Sequence, residues 1–155
     1  MNAREKADHL LGSISETLSM KEPLKLDQND TCVFTVDGRY VFMVQFEGES
    51  EHLLLNLPLG VLPDGDEGKE LALELLAGNY CWGLTAGGTL GLDDENGIVS
   101  LCYGYDVSEG RGGGFEEVLG DLAGAAEYWM GKLGTLDEED APTAPTGGGG
   151  NMIRA

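Results

Sequence analysis

TCVFTVDGRYVFMVQF, residues 31–46, carries the alternation on which the fold turns. In its first half Cys32, Phe34 and Val36 fall on one side. In its second half Tyr40, Phe42, Val44 and Phe46 do the same. A period of two is that of a strand with one buried face. Between the halves stands Asp37-Gly38, a pair that accepts left-handed backbone and is a strong two-residue hairpin signal. The stretch therefore reads as an antiparallel hairpin. Val41 and Met43 add apolar side chains to its other face, so this hairpin is covered on both sides or leaves an apolar patch.

Working outward, EGES (47–50) supplies a second turn and HLLLNLPLG (52–60) a third strand, apolar on both faces until Pro58. Before the hairpin, residues 3–19 read as a helix, with Ala7, Leu10, Leu11, Ile14 and Leu18 forming one stripe. After the third strand comes a loop, VLPDGDEG (61–68), and a second helix, KELALELLAGNY. Asp66 is its expected N-cap, and Gly78-Asn79 its stop. CWGLTAGGTLGL (81–92) and GIVSLCYGY (97–105) read as two more strands joined by DDENG, with Gly87-Gly88 a bend or close backbone approach before the fourth strand. A last helix begins near Phe115, with Val118, Leu119, Leu122, Ala126, Trp129 and Leu133 on its apolar side. The order predicts an α+β fold, α-β-β-β-α-β-β-α, with a twisted, mostly antiparallel five-stranded sheet and three helices.

The chain of 155 residues suits one domain. Residues 1–133 hold all the periodic segments. Residues 134–155 combine an acidic run, two prolines and four consecutive glycines. Such a composition buries too little apolar area to offset its ordering entropy, so a disordered acidic and Gly-rich tail is expected there.

Charge excludes some partners. Twenty-eight acids against nine bases give a formal net charge of −19. Residues 40–133 contribute −14 of it, from 17 acids and three bases. A surface of that sign repels phosphate backbones and anionic membranes and attracts basic partners. No window reaches eighteen apolar residues, so membrane insertion is not expected. The opening MNAREKADHLLGS lacks the apolar stretch of a signal peptide, and the cytoplasm is the expected compartment.

No motif with a chemical mechanism is present. Asp93, Asp94, Glu95 and Asn96 are consecutive, whereas a calcium loop alternates its acids and ends on a Glu at its twelfth position, here Gly104. DDENG is therefore read as a turn. GRGGG (110–114) is not followed by Gly-Lys-Ser/Thr and is no phosphate loop. Cys32, Cys81 and Cys102 have no disulfide or zinc spacing. His9 and His52 share no local signature with any of them. No catalytic residue, metal or cofactor is expected, and the chain is read as a non-enzyme. What stands out is apolar area in excess of what one layer of helices covers, which points to a dimer contact or a groove for an apolar segment.

Several stretches together resemble the class I type III secretion chaperones, the Tir chaperone (CesT-like) family. They are LDQNDTCVFTVDG (26–38), LLLNLPLGVLP (53–63), ELLAGNYCWGLTAGGTLGLDDENGIVSLCYGY (74–105) and FEEVLGDLAGAAEYWMGKL (115–133). The carrying details are a Leu-Pro loop after the third strand and an aromatic near the end of the second helix, Tyr80 or Trp82. To these are added Leu90-Gly91-Leu92-Asp93 in the strand after the Gly-rich turn, and the pair Tyr128-Trp129 in the last helix. The resemblance implies a bacterial, cytoplasmic homodimer that binds the N-terminal segment of a secreted effector and keeps it extended, without hydrolysing nucleotide. It places the dimer contact on the second helix and a nearby strand, here Leu71, Ala72, Leu75, Leu76 and Trp82. It gives the effector apolar patches of the first helix and first strands, here Leu11, Ile14, Phe34, Phe42, Val44, Leu53 and Leu55. The alternative is a peptide- or protein-binding regulator on the same fold with no role in secretion.

Overall fold

The computed structural model describes residues 1–108 and 114–136. The expected tail falls almost entirely on residues 137–155, outside the described residues. Eight elements follow in the predicted order: α1 (Ala3–Thr17), β1 (Thr31–Val36), β2 (Tyr40–Glu47), β3 (His52–Val61), α2 (Gly65–Asn79), β4 (Thr89–Asp93), β5 (Ile98–Asp106) and α3 (Phe115–Met130). A short 3-10 turn, Tyr80–Trp82, follows α2. The five strands form one antiparallel sheet in the order β1-β2-β3-β5-β4. The hairpin forms, with a connection one residue longer than read: Asp37 and Gly38 have φ of 54° and 64°, and the Arg39 N–H donates to the Val36 carbonyl at 3.1 Å. The register pairs Val36 with Tyr40, so Arg39 belongs to the connection as well.

Alternation divides the sheet into two faces. Cys32, Phe34, Phe42, Val44, Phe46, Leu53, Leu55, Leu57, Leu101 and Tyr105 share the first face and are buried. Ala7, Leu11 and Ile14 of α1 close over it, with Phe115, Leu119, Leu122, Ala126 and Trp129 of α3, in one continuous core. Position as well as hydrophobicity brings α1 there. Asn2 and Glu5 form a reciprocal capping box at its start. Arg4 then holds the Asp30 carboxylate at 2.6 Å and the Asp27 carbonyl at 3.0 Å, while Asp8 accepts from the Leu26 N–H at 2.7 Å. These contacts fasten α1 to the segment that leads into β1. Hydrogen bonds from Thr31 and Asn29 hold the Asp27 carboxyl below its ordinary value, so the loop is built on the ionised form.

Two readings are corrected. The residue at the N-cap position of α2 is Asp64, not Asp66; Asp66 and Glu67 fill the first turn, where carboxylates still suit the helix's positive end. The fourth strand covers only Thr89–Asp93 instead of starting at Cys81. Cys81, Trp82 and Ala86 adopt φ near 50°, which a strand does not allow. The third strand runs from His52 to Val61, one residue past the expected 52–60, with Pro58 inside it. The proline is tolerated because the register with β2 stops at Asn56 and the pairing with β5 slips between Pro58 and Gly60. At the far end Gly134 and Val61 exchange both backbone hydrogen bonds at 3.0 Å, which ties the segment after α3 to β3.

The DDENG segment is a turn. The Asp93 carboxylate accepts from the Glu95 N–H and the Asn96 side chain, and Gly97 takes φ of 70°. Among the described residues no helix is long and apolar enough to cross a membrane.

Candidate functional site

Two apolar surfaces lie outside the core. The first is the second face of the sheet. The registers align Val33, Met43, Asn56, Cys102 and Thr89 in one row across all five strands. Thr31, Gln45, Leu54 and Gly104 form the next row. Val41 stands beside them on β2. None of these residues joins the core under α1 and α3, although Met43 and Thr31 are themselves buried. Val33 is 52% exposed and Val41 38%, while Leu54, Asn56 and Cys102 are half-buried. The Asn56 Oδ1 atom is enclosed and accepts no hydrogen bond from the protein. Not one residue in these rows is charged. A cleft of about 450 Å³ opens at the β1 edge, lined by Pro23, Leu24, Thr31, Cys32 and Val33 and by the charged Glu22, Lys25 and Asp27.

The second surface is built on α2. Leu71 and Leu75 face inward. Leu73 and Leu76, three residues apart, are 68% and 67% exposed, and Tyr80 continues their stripe one turn on at 81%. Trp82 and Leu84 add to it from the irregular segment that follows. That segment is held from inside. Asn79 brackets Leu90, accepting from its N–H at 2.8 Å and donating to its carbonyl at 3.1 Å. Trp129, wholly buried, donates its indole N–H to the Leu84 carbonyl at 2.9 Å. Gly78 is a close-approach glycine, because any Cβ there would collide with the Trp129 ring. Asn79→Ala removes both bonds to Leu90 and leaves backbone groups of β4 unpaired. We expect a loss of about 2 kcal/mol in urea unfolding, with early loss of amide protection at Leu90.

The expected site residues divide accordingly. Leu11, Ile14, Phe34, Phe42, Val44, Leu53 and Leu55 come together, but in the interior, each at most 4% exposed. The reason is that α1 and α3 cover the face they share, so these residues are core. Of the expected dimer residues, Leu71 and Leu75 are buried, Ala72 is half-buried, and Leu76 and Trp82 are exposed. Val33, Leu54, Leu73 and Tyr80 were not among the expected contact residues, whereas Leu76 was, and Val41 was already read onto the hairpin's second apolar face. The signal for the stripe was present as spacings of three and four residues.

Acid–base chemistry finds little to work with. Burial pushes the Cys32 and Cys102 thiols up, away from the thiolate a nucleophile needs. His9 is exposed on α1, and the His52 Nδ1 lies 2.6 Å from the Ser50 carbonyl. Among the described residues no group of His, Cys, Asp and Glu is arranged to hold a metal ion.

Comparison with known proteins agrees with this geometry. The sequence profile of the Tir chaperone protein (CesT) family matches residues 9–130. No curated protein matches the chain. Among solved structures, a chain of the ExsC-ExsE complex superposes with a TM-score of 0.70 at 23% identity, covering 86% of this chain and 98% of that one. A chain of the HopA1-SchA chaperone-effector complex gives 0.62 at 26% identity, covering 83% and 92%. A chain of the heterodimeric ExoU-SpcU complex, from the type III secretion system of Pseudomonas aeruginosa, gives 0.60 at 19% identity, covering 81% and 96%.

Proposed function

The chain belongs to the Tir chaperone protein (CesT) family, and on that premise we propose that it is a bacterial cytoplasmic chaperone for a type III secreted effector. It acts as a homodimer, binds the N-terminal segment of the effector and holds it extended for secretion, without hydrolysing nucleotide. Residues 1–133 are the chaperone domain. The observation that carries the reading is the uncharged, partly apolar sheet face left outside the core of a chain with net charge −19. The likeness to a chain of a chaperone-effector complex at 26% identity supports it.

The physical logic is a balance. A segment that binds unfolded loses conformational freedom on docking. Apolar burial at roughly 25 cal/mol per Å² offsets that loss. The chaperone supplies Val33, Val41 and Leu54 on one face of its sheet, and the β1 edge with its adjoining cleft. The stripe on α2 is then free for the second subunit. The acidic surface keeps both the empty and the loaded dimer in solution.

The test is made in the native bacterium. The chaperone is isolated with its bound protein, the pair is weighed by light scattering, and the bound protein is shortened from its N-terminus. Two copies of this chain per client, loss of binding on removing the client's first segment, and loss of that client's secretion on deleting the chaperone are expected. A monomer, or a client secreted equally well without this chain, overturns the proposal.

A further inference from the structure

The charges around the second sheet face specify more than its apolar centre does. Between residues 40 and 108 the only lysine or arginine is Lys69, on α2. The strands β2 to β5 thus carry no lysine or arginine; His52 opens β3, Arg39 stands in the β1–β2 turn, and Lys25 lines the cleft beside Glu22 and Asp27. The acids lie beyond the rows, at the strand ends. Glu47 ends β2, with Glu49 and Glu51 in the turn that follows; at the opposite end Asp93 ends β4, with Asp94 and Glu95 in the β4–β5 turn. Glu47 and Asp93 are engaged in building their own turns, whose hydrogen bonds hold both carboxyls below their ordinary values. Glu49, Glu51, Asp94 and Glu95 are exposed. The ten residues of β3 set these ends roughly 30 Å apart.

We infer that the segment received by this face is uncharged and apolar at its centre and basic at both ends. The inference rests on the reading of the face as the client site. Its basis is charge complementarity: a neutral centre rejects a charged side chain that would lose its water there, and acids at both margins favour lysine or arginine. A client of that pattern is also held in one place along the face. Sliding by a turn's width would put a basic residue over Met43 and Leu54, or leave an acidic margin unanswered.

The test uses labelled synthetic peptides of about twenty residues, long enough to reach both turns whether helical or extended. One has an apolar, uncharged centre and three lysines at each end. A second has the same centre with glutamates, and a third has serines. Binding to the full chain is read by fluorescence anisotropy at low and high salt. The lysine peptide is expected to bind about tenfold tighter than the serine peptide at low salt, and the glutamate peptide more weakly than either. The preference is expected to vanish at high salt and in the variant E49Q/E51Q/D94N/E95Q, which leaves the turn-forming Glu47 and Asp93 in place. Val33→Asp is expected to weaken all three peptides. Equal binding of the three peptides overturns the charge pattern and leaves the apolar site standing. Binding of none, or a lysine preference that Val33→Asp does not touch, overturns this face as the place where such a segment docks. The secretion experiment above decides the chaperone reading separately.

Discussion

Trp129→Ala is expected to lower the stability of the protein by about 3–5 kcal/mol, the range for truncating a buried aromatic. Trp129 is 1% exposed and the largest fully buried side chain. It joins three parts of the chain that have little else in common. Its ring fills the space that Gly78 leaves open on α2, its N–H holds the Leu84 carbonyl, and its own helix packs on the sheet. Alanine would open a cavity where these parts meet and release the segment 80–88 from its anchor. The loss is a large share of the roughly 5–15 kcal/mol that holds a domain together. Urea unfolding of Trp129→Ala beside Trp129→Phe separates the two roles. Phenylalanine keeps most of the packing and forfeits the hydrogen bond, so its cost should be the smaller. A midpoint for the alanine variant within about 1 kcal/mol of the parent would remove Trp129 from this role.

That arrangement also explains which parts of the molecule could be read from the sequence. The hairpin at 31–46 was legible because its period, its turn residues and its register agree, all from neighbours in the chain. The last helix was legible for the same reason, with Phe115, Leu119, Leu122, Ala126 and Trp129 on one stripe. Segment 81–88 was not. Trp82 and Leu84 gave it the look of a strand, but its conformation is set from a distance, by Trp129 and by the bracket of Asn79 on Leu90. Local pattern has no access to such contacts. The site shows the same division. Alternation announced that both faces of β2 and β3 are apolar. It gave no way to tell which would be covered, since that depends on where α1 and α3 dock. Arg4, Asp8, Asp27 and Asp30 decide it through contacts that join α1 to the segment before β1. The heavier side chains, Phe34, Phe42 and Phe46, went inside, and the lighter Val33 and Val41 stayed out. On α2 two stripes of leucine compete, and the one that turns inward, Leu71 and Leu75, shares its face with Gly78, where the Trp129 ring packs.

The outward stripe is where a second subunit should be lost most sharply. Leu73→Asp with Leu76→Asp is expected to convert the proposed dimer to monomers at micromolar concentration without unfolding them. Both side chains are about two-thirds exposed in the single chain, so the core does not depend on them. Fully burying a leucine is worth about 1.5–3 kcal/mol, so each of these, already one-third buried, gains roughly 1–2 kcal/mol on contact. A two-fold contact counts every leucine twice. The four together amount to several kcal/mol, which shifts a dissociation constant by three or more orders of magnitude. Carboxylates in their place also oppose one another across the axis. Leu75→Asp is not an equivalent test. Leu75 is buried in the core, so aspartate there would unfold the chain and report on stability instead of assembly. Light scattering and circular dichroism on the double variant distinguish the outcomes. A folded monomer supports a dimer built on α2. A folded dimer of unchanged affinity places the subunit contact elsewhere, and the exposed Leu73, Leu76 and Tyr80 would then be open to the client instead.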